Sequence, residues 1–514
     1  MVIWNILHVI FISPFRFGNP TVADISDGRT SSTVLFACAS AISLISNVYL
    51  SIQPGGDQTA NNMLWILQAF SEVAGTIALV ILLVLIRFST SYVLLRRQQV
   101  KDKSINVHLN ILWLSGLGVL VLTGISLVIT IKCIYSEQTS EGALQMISTI
   151  LTIPFIVLQL SSITYLRNVS LAGGMFINYL VGTILLVNVS MWFSFVTWKI
   201  VDIHTFLRSN FTKSIPKEST FAQCYLESGR QNVSWATIPF SLSISMLFFI
   251  LSSVFLIKIW SSIEITSHID PCKARGREGN DAPQLPESII QPHEQNGGPN
   301  LKNIRFISTI VGITLVVAFL TMALLMKFVY LRHIIAVKIF WDASIIACLA
   351  IGLIIVLVGI KSLDSYRPIT WMLSSWDCVL LCCMAGNVVN NTIGIISVSI
   401  CHVERPKTIF TKNSLNLFMV FYHTVYIMMA RRIPSNALRN KPVTLSVHIV
   451  FFVSYAGRWF LLTFILSTQG KYLLQEGQQC LFSDQIWLTL QYFTIPINAF
   501  YDFQSFAYYY STIW

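Results

Sequence analysis

Ionisable side chains are scarce within the apolar segments of this chain, and Glu72 is the first of them. It lies about eleven residues into an apolar block at residues 61–87, or ~16 Å deep at helical rise. Gln68 and Thr76 stand at i−4 and i+4, so the three side chains share one helix face. A charge at such a depth costs several kcal/mol, so an ionisable side chain there is a functional-site hypothesis. We therefore expect either a titratable functional group or a hydrogen-bonded carboxyl that ties helices together.

Two aspartates occupy apolar segments of the second half. Asp342, in FWDASIIACLAIG, is expected at a depth similar to that of Glu72. Lys338 stands one turn away and could pair with it, which would make the carboxylate structural rather than functional. Asp377, in SSWDCVLL, lies near a helix end, where an interfacial carboxyl needs no functional explanation.

The last third contributes a histidine and an ion pair. His423 lies in FMVFYHTVYIMM, between Tyr422 and Tyr426, and is either a proton relay or a buried packing group. Arg458, in SYAGRWFLL, and Asp502, in the final apolar segment, would each be costly alone within a membrane. We predict that these two neutralise one another as a structural ion pair.

The elements that must position these groups are membrane helices. Crossing a bilayer takes about 20 apolar residues, and blocks of that kind recur about twelve times. Ala236–Leu256, for example, contains no charged residue. Backbone groups in lipid must be satisfied within their own segment, which favours helices. The predicted fold is all-α, a polytopic membrane protein of about twelve transmembrane helices in two six-helix bundles.

Composition agrees with this fold class. Hydrophobic residues make up 54% of the chain and charged residues 11%, about half the share usual in soluble proteins. The net charge of +11 comes from basic residues in loops beside helix ends, so nucleic-acid binding is not expected. The ten cysteines have no metal-ligand spacing, and there is no nucleophile–base pair or Walker loop. We expect no enzyme activity, no cofactor and no bound metal.

The distribution of basic residues predicts both termini in the cytosol, in a cell membrane. Two glycosylation sequons, at Asn210 and Asn232, then fall in an outside loop. Cys224 shares that loop and Cys133 lies at another outer helix end, so a disulfide between them is one alternative. The predicted domains are an N-terminal segment (1–33), a first bundle (34–261), a disordered linker rich in Pro, Gly and charge (262–302), and a second bundle (303–514).

The last apolar segment, WLTLQYFTIPINAFYDFQSFAYYYSTIW, resembles the final helix of the otopetrins, a family of proton-selective channels. Pro496, Phe500, Tyr501 and Ser505 match the family pattern, whereas Asp502 stands where the family has arginine. LNLFMVFYHTVYIMMARR is similar to the family's tenth helix. LFFILSSVFLIKIW is similar to its sixth helix, and NVSMW to part of its fifth. Together these segments follow the family's order, and the closest matches lie in the last third.

The resemblance implies a homodimer of six-plus-six-helix subunits that passes protons down their electrochemical gradient when the outside is acidic. Protons and membrane lipids, with sterol as one candidate, would be its partners. Titrating groups would be Glu72, Asp342 and His423, beside Gln68. The resemblance also implies water-orienting groups at Asn188, Asp377 and Gln491, with Tyr492 as the alternative to Gln491. The chain departs from the family at Lys199, in place of an acid, and at Thr183, in place of histidine.

Two other functions fit the same layout. A proton-coupled secondary transporter would use the buried carboxylates to couple protons to a small solute, usually with Gly- or Pro-broken helices at matching places in both halves. A non-conducting scaffold or sensor would act through its loops. Current that follows the proton gradient alone would indicate the channel.

Overall fold

The computed structural model describes residues 29–52, 58–88, 96–97, 103–137, 140–167, 169–171, 175–211, 224, 234–261, 299–327, 335–363, 375–401, 405–461, 463 and 484–513. These residues are helical apart from short turns and one antiparallel pair of two-residue strands. The elements are α1 (Arg29–Ile52), α2 (Gln58–Phe88), β1 (Arg96–Arg97), α3 (Lys103–Glu137), α4 (Ser140–Leu166), β2 (Val169–Ser170), α5 (Met175–Phe211), α6 (Ser234–Ser261), α7 (Pro299–Lys327), α8 (Ile335–Leu363), α9 (Ser375–Ile400), α10 (Pro406–Ala430), α11 (Ser435–Asn440), α12 (Pro442–Phe460) and α13 (Asp484–Ile513).

Seven of the described helices are long and apolar enough to cross a bilayer. The qualifying stretches are Asn62–Phe88, Ile105–Tyr135, Gly142–Leu166, Phe176–Val196, Ile339–Leu363, Trp376–Ile400 and Pro442–Phe460. Three shorter apolar stretches lie in α1, α6 and α7. Large apolar side chains such as Phe70, Leu114 and Phe306 are exposed on these helices, as expected where lipid replaces water. The chain is therefore an α-helical protein of membrane type.

In the first half, α6 packs against α3 and α5, and α2 packs against α4 and α5. Phe155, Phe248 and Phe249 are fully buried where these helices meet. α1 lies along α5, and hydroxyl and amide groups join the two helices. The hydrogen bonds are Tyr179 to Ser31 (2.9 Å), Ser43 to Ser190 (2.9 Å) and Ser194 to Asn47 (3.2 Å). Such pairs hold helices together where no hydrophobic driving force acts between them.

In the second half, α10 packs against α8 and α9, and α12 packs against α7 and α13. α13 also packs against α9. The halves meet where α13 contacts α3, α5 and α6, and where α9 contacts α6. The last helix therefore touches both halves of the chain, so side chains at its middle can connect them.

Two glycines permit close helix contacts beside buried polar groups. A Cβ on Gly75, in α2, would lie 2.6 Å from a ring carbon of Phe155 in α4. A Cβ on Gly359, in α8, would lie 2.9 Å from the ring of Tyr426 in α10. Without a side chain at these positions, α2 approaches α4 one turn from Glu72, and Tyr426 fits against α8.

A disulfide bond joins α3 to a segment that is distant in sequence. Cys133, near the end of α3, forms a disulfide with Cys224, and their Cα atoms are 5.8 Å apart. Cys401, directly after α9, is also disulfide-bonded. The described cysteines with free thiols are Cys38, Cys348, Cys378, Cys382 and Cys383.

Several predictions fall on residues that are not described. They are the N-terminal segment up to residue 28, most of the predicted linker (262–298) and the sequon residue Asn232. Asn210 lies in α5, and Gln491 and Tyr492 lie in α13, but their side chains are outside the described part of the structure. The glycosylation and water-orienting roles predicted there stay predictions.

Candidate functional site

Glu72 lies near the middle of α2, fully buried against α4. Its carboxylate accepts hydrogen bonds from Thr152 (2.6 Å), Ser148 (3.1 Å) and Gln68 (3.1 Å). All three donors are neutral. Among the described residues no lysine or arginine forms an ion pair with Glu72, so no fixed cation determines its charge. The carboxyl can exist in either protonation state, because a neutral shell can donate to a carboxylate and accept from a carboxylic acid.

Local sequence explains how α4 meets this carboxyl. Ser148 and Thr152 stand one turn apart and therefore share a face of α4. Pro154 follows inside the helix and removes one backbone hydrogen bond, which frees the carbonyl of Ile150. Ile150 and Pro154 are on the exposed side of α4, so the groups of this helix that meet Glu72 are the hydroxyls of Ser148 and Thr152.

The same face of α4 reaches α5 about two turns beyond Thr152. Gln159 donates a 2.6 Å hydrogen bond to the side-chain oxygen of Asn188, and both residues are fully buried. Asn188 in turn donates to the backbone carbonyl of Ile184. The interior of the first half therefore contains two polar sites along one helix, at Glu72 and at Asn188.

His423 is the central polar group of the second half. Its Nδ1 lies 2.7 Å from the hydroxyl of Tyr501, and its Nε2 lies 2.9 Å from the hydroxyl of Tyr509. The Tyr501 hydroxyl is also 3.0 Å from Thr424 Oγ1. Tyr455 stacks on the imidazole with a centroid distance of 4.4 Å. The packing holds the ring in place, and both of its nitrogens are bonded to groups that can donate or accept a proton.

Imidazole with a phenol on each nitrogen can exchange tautomers. In the neutral ring one nitrogen donates and the other accepts, so the Tyr501–His423–Tyr509 chain has two possible hydrogen-bond patterns. A proton can arrive at the Tyr501 oxygen while the Tyr501 hydroxyl proton moves to Nδ1, the Nε2 proton moves to the Tyr509 oxygen and the Tyr509 hydroxyl proton leaves. One proton then passes along the chain, and no group is left charged. This capacity distinguishes His423 from an ordinary buried packing histidine.

A third polar contact connects the halves. Nε2 of His108, in α3, lies 3.1 Å from the side-chain oxygen of Gln504, in α13. Trp376 and Phe503 pack against the His108 ring at centroid distances of 4.7 and 5.2 Å. An imidazole from the first half and an amide from the last helix therefore meet at this contact.

Asp342 is in a different environment from Glu72. It lies about two turns from the start of α8, whereas Glu72 is near mid-helix, so the two depths are not similar. Asp342 forms an ion pair with Arg405 at 2.7 Å, and Lys412 lies 3.7 Å away. The carboxylate is held by two cations from outside its own helix, which favours the structural alternative. Its partners come from α10 and the residue before it, not from its own helix.

Two more ion pairs involve sequence-predicted residues. Asp377 pairs with Arg431 at 3.1 Å, and the Arg431 guanidinium lies over the ring of Tyr508. Arg458 and Asp502 form the predicted ion pair, with Nε and Oδ2 3.3 Å apart. Arg458 also lies over the ring of Tyr455, which stacks on His423. The Arg458–Asp502 pair therefore borders the His423 site.

Sequence reasoning placed Gln68 beside Glu72 and paired Arg458 with Asp502, but it missed the other partners of these groups. Ser148 and Thr152 could have been noticed as a polar pair one turn apart in an apolar block. Tyr509 could have been noticed because it stands two turns after Tyr501, on the same helix face. Arg405 and Arg431 carried no such signal, because their relation to Asp342 and Asp377 depends on how distant helices pack.

Comparison with known proteins leaves the chain without an assigned family. No family model matches the sequence, and no curated protein matches it significantly.

Proposed function

We propose that this chain is an otopetrin-like proton channel, which passes protons across a cell membrane down their electrochemical gradient when the outside is acidic. The observation that carries the proposal is the environment of Glu72, a fully buried carboxyl whose hydrogen-bond donors among the described residues are all neutral. A structural carboxylate inside a membrane protein is normally paired with a cation, as Asp342 is here. A carboxyl without one can bind and release a proton in place.

His423 is the corresponding station in the second half. The Tyr501–His423–Tyr509 chain gives protons a route between α10 and α13, two of the segments that resemble the otopetrins. Asn188 and Gln159 hold water in the first half, and Gln491 or Tyr492 does so at the outer part of α13. Asp342, Asp377, Arg458 and Asp502 stabilise the helices as ion pairs.

The proposed architecture has twelve membrane helices, six in each half: α1–α6 and then α7–α10, α12 and α13. Alternating crossings with both termini in the cytosol bring Cys133, Cys224 and Cys401 to the outside. The disulfides of these residues support this orientation, because disulfides persist in oxidising compartments. The sequons at Asn210 and Asn232 fall on the same side. Two subunits assemble as a homodimer, in contact with membrane lipids that include sterol.

Whole-cell recording from cells that express the full chain tests the proposal. The expected result is an acid-evoked current whose reversal potential follows the proton gradient at every external pH, without added solute. Glu72→Gln keeps a carbonyl acceptor for Thr152 but cannot titrate, and it is expected to lower the current at least about tenfold. Glu137→Gln, at the end of α3, is the matched control. A wild type that reaches the surface without proton current would overturn the proposal, and a solute-dependent current would indicate a transporter.

A further inference from the structure

His448 lies inside the second half in a cage of tyrosines. It is 2% exposed, on α12, and its ring contacts those of Tyr426, Tyr508 and Tyr509 at centroid distances of 5.8, 6.0 and 5.2 Å. The sequence had not singled it out, because one histidine in an apolar segment is most often a packing group. Its surroundings are unusual because they contain buried polar atoms that form no hydrogen bond within the described part of the chain.

Two rings of this cage each carry a buried polar atom that no described residue satisfies. Nε2 of His448 and the hydroxyl of Tyr426 have no hydrogen-bond partner within the described part of the chain. Both residues are more than nine-tenths buried, and their rings touch edge to face. A buried polar group left unsatisfied is unfavourable, and native proteins satisfy such groups with ordered water when the protein itself does not.

The cage adjoins the His423 site on one side and an ion pair on the other. Tyr509, which bonds to His423, contacts the His448 ring. Tyr508 contacts the same ring, and the Arg431 guanidinium of the Asp377–Arg431 ion pair lies over the Tyr508 ring. The contacts from His423 to His448, and from His448 to Arg431, both lead towards the end of α10 and the start of α12. These helix ends are cytosolic in the proposed topology.

We infer that His448 and Tyr426 bind ordered water, and that this hydration site carries protons from the His423 chain towards the Asp377–Arg431 ion pair. Water bonded to Nε2 and to the Tyr426 hydroxyl satisfies both groups at once. Each water can accept a proton from one neighbour and release one to the next, so no stable charge is needed in the interior. The transport part of this inference rests on the proposed function, whereas the water site does not.

A high-resolution cryo-electron microscopy map of the full-length protein tests the water site directly. Solvent density within hydrogen-bond distance of His448 Nε2 and the Tyr426 hydroxyl is expected. A map in which the His448 and Tyr426 side chains are well ordered, but no solvent density lies within hydrogen-bond distance of either polar atom, would overturn the inference. This readout does not depend on whether the protein conducts.

Proton current tests the route. Tyr426→Phe removes one oxygen and keeps the ring, and it is expected to lower the current about fivefold, the effect of one lost hydrogen bond. His448→Phe is expected to lower it further. Tyr422→Phe is the matched control, since Tyr422 is on the same helix outside the cage. Reduced current in Tyr426→Phe supports the route, and unchanged current in both variants overturns it. If the map shows the solvent density but the wild type carries no proton current, the proposed function and the proton route are wrong, whereas the water site is confirmed.

Discussion

Two buried acids of this chain have opposite surroundings. Glu72 is held by hydroxyl and amide donors, and Asp342 is held by the guanidinium of Arg405. A cation near a carboxylate fixes its charge, whereas neutral donors leave the charge free to change. At the scale of the residue, the partners of an acid, more than its depth, separate a titrating group from a structural one.

Thr152 is predicted to be the strongest contact of Glu72. Thr152→Val keeps the shape of the side chain but removes the 2.6 Å hydrogen bond to a buried carboxylate, so we expect a loss of about 1.5–3 kcal/mol in stability. Thermal unfolding of the purified protein in detergent measures the change. Thr149→Val is the control, because Thr149 is similarly buried in α4 and bonds only to a backbone carbonyl. Equal effects of the two substitutions would contradict the prediction.

Asp342 is predicted to contribute to stability rather than to conduction. Arg405→Gln leaves the Asp342 carboxylate with Lys412 alone, and we expect a clear fall in the temperature of unfolding. Asp342→Asn combined with Arg405→Gln is expected to recover part of that loss, since the unpaired charge is gone. A double-mutant cycle measures the coupling between the two residues, and a coupling energy near zero would contradict the structural role.

The sequence determines which segments form helices better than it determines which side chains pair between them. Runs of apolar residues predicted an all-helical protein of membrane type, because a membrane helix satisfies its backbone within its own segment. Seven of the described helices are long and apolar enough to cross a bilayer, and the expected number of about twelve stays a prediction. The partner of Asp342 was not predictable in the same way. Lys338, one turn away on the same helix, was the nearest choice in sequence, yet Arg405 fills the role from another element. Arg458 and Asp502 were predictable as a pair because few charges lie in the last two long helices.

Gly75 is predicted to set the spacing between α2 and α4. In Gly75→Ala the new Cβ would meet Phe155 at 2.6 Å, which forces the helices apart next to Glu72. We expect a destabilisation of about 1–3 kcal/mol and a lower proton current, as Glu72 moves away from Ser148 and Thr152. Gly124→Ala in α3 is the matched control, because its Cβ would have no neighbour within 4 Å.

Helix propensity alone favours alanine at both positions by about 1 kcal/mol. The control is therefore expected to be neutral or slightly stabilising, and only Gly75→Ala to be harmful. Thermal unfolding and current amplitude are measured on both variants at equal surface expression. A neutral Gly75→Ala would mean that α2 and α4 tolerate a wider separation than the structure has.

At the scale of the whole molecule, the described helices divide at the gap between α6 and α7, and α13 contacts both halves. His108 and Gln504 form a polar contact across this boundary, between α3 and α13. Movement of α13 relative to α3 would therefore affect the His423 site and the contact between halves together, because Tyr501, Gln504 and Tyr509 are on one helix.

The orientation of the whole chain can be read from the Cys133–Cys224 disulfide. If both termini are cytosolic, a charged, membrane-impermeant reductant applied to intact cells is expected to reduce this bond. The thiol of Cys224, which is partly exposed, then reacts with an impermeant maleimide, whereas Cys133 is fully buried, and the labelled protein shifts in mass. The double variant Cys133→Ser, Cys224→Ser lacks this disulfide. Any mass shift that it still shows after reduction therefore comes from the disulfide of Cys401, which makes it the control.

Cys383 supplies an internal reference for this measurement, since it is a free but buried thiol in α9 and is expected to stay unlabelled in intact cells. Reduction that requires permeabilised cells would invert the proposed orientation. It would also put the sequons at Asn210 and Asn232 on the cytosolic side, where they cannot be glycosylated. Because the inverted orientation would reverse the direction of the acid stimulus, the same labelling also decides from which side proton current should be evoked.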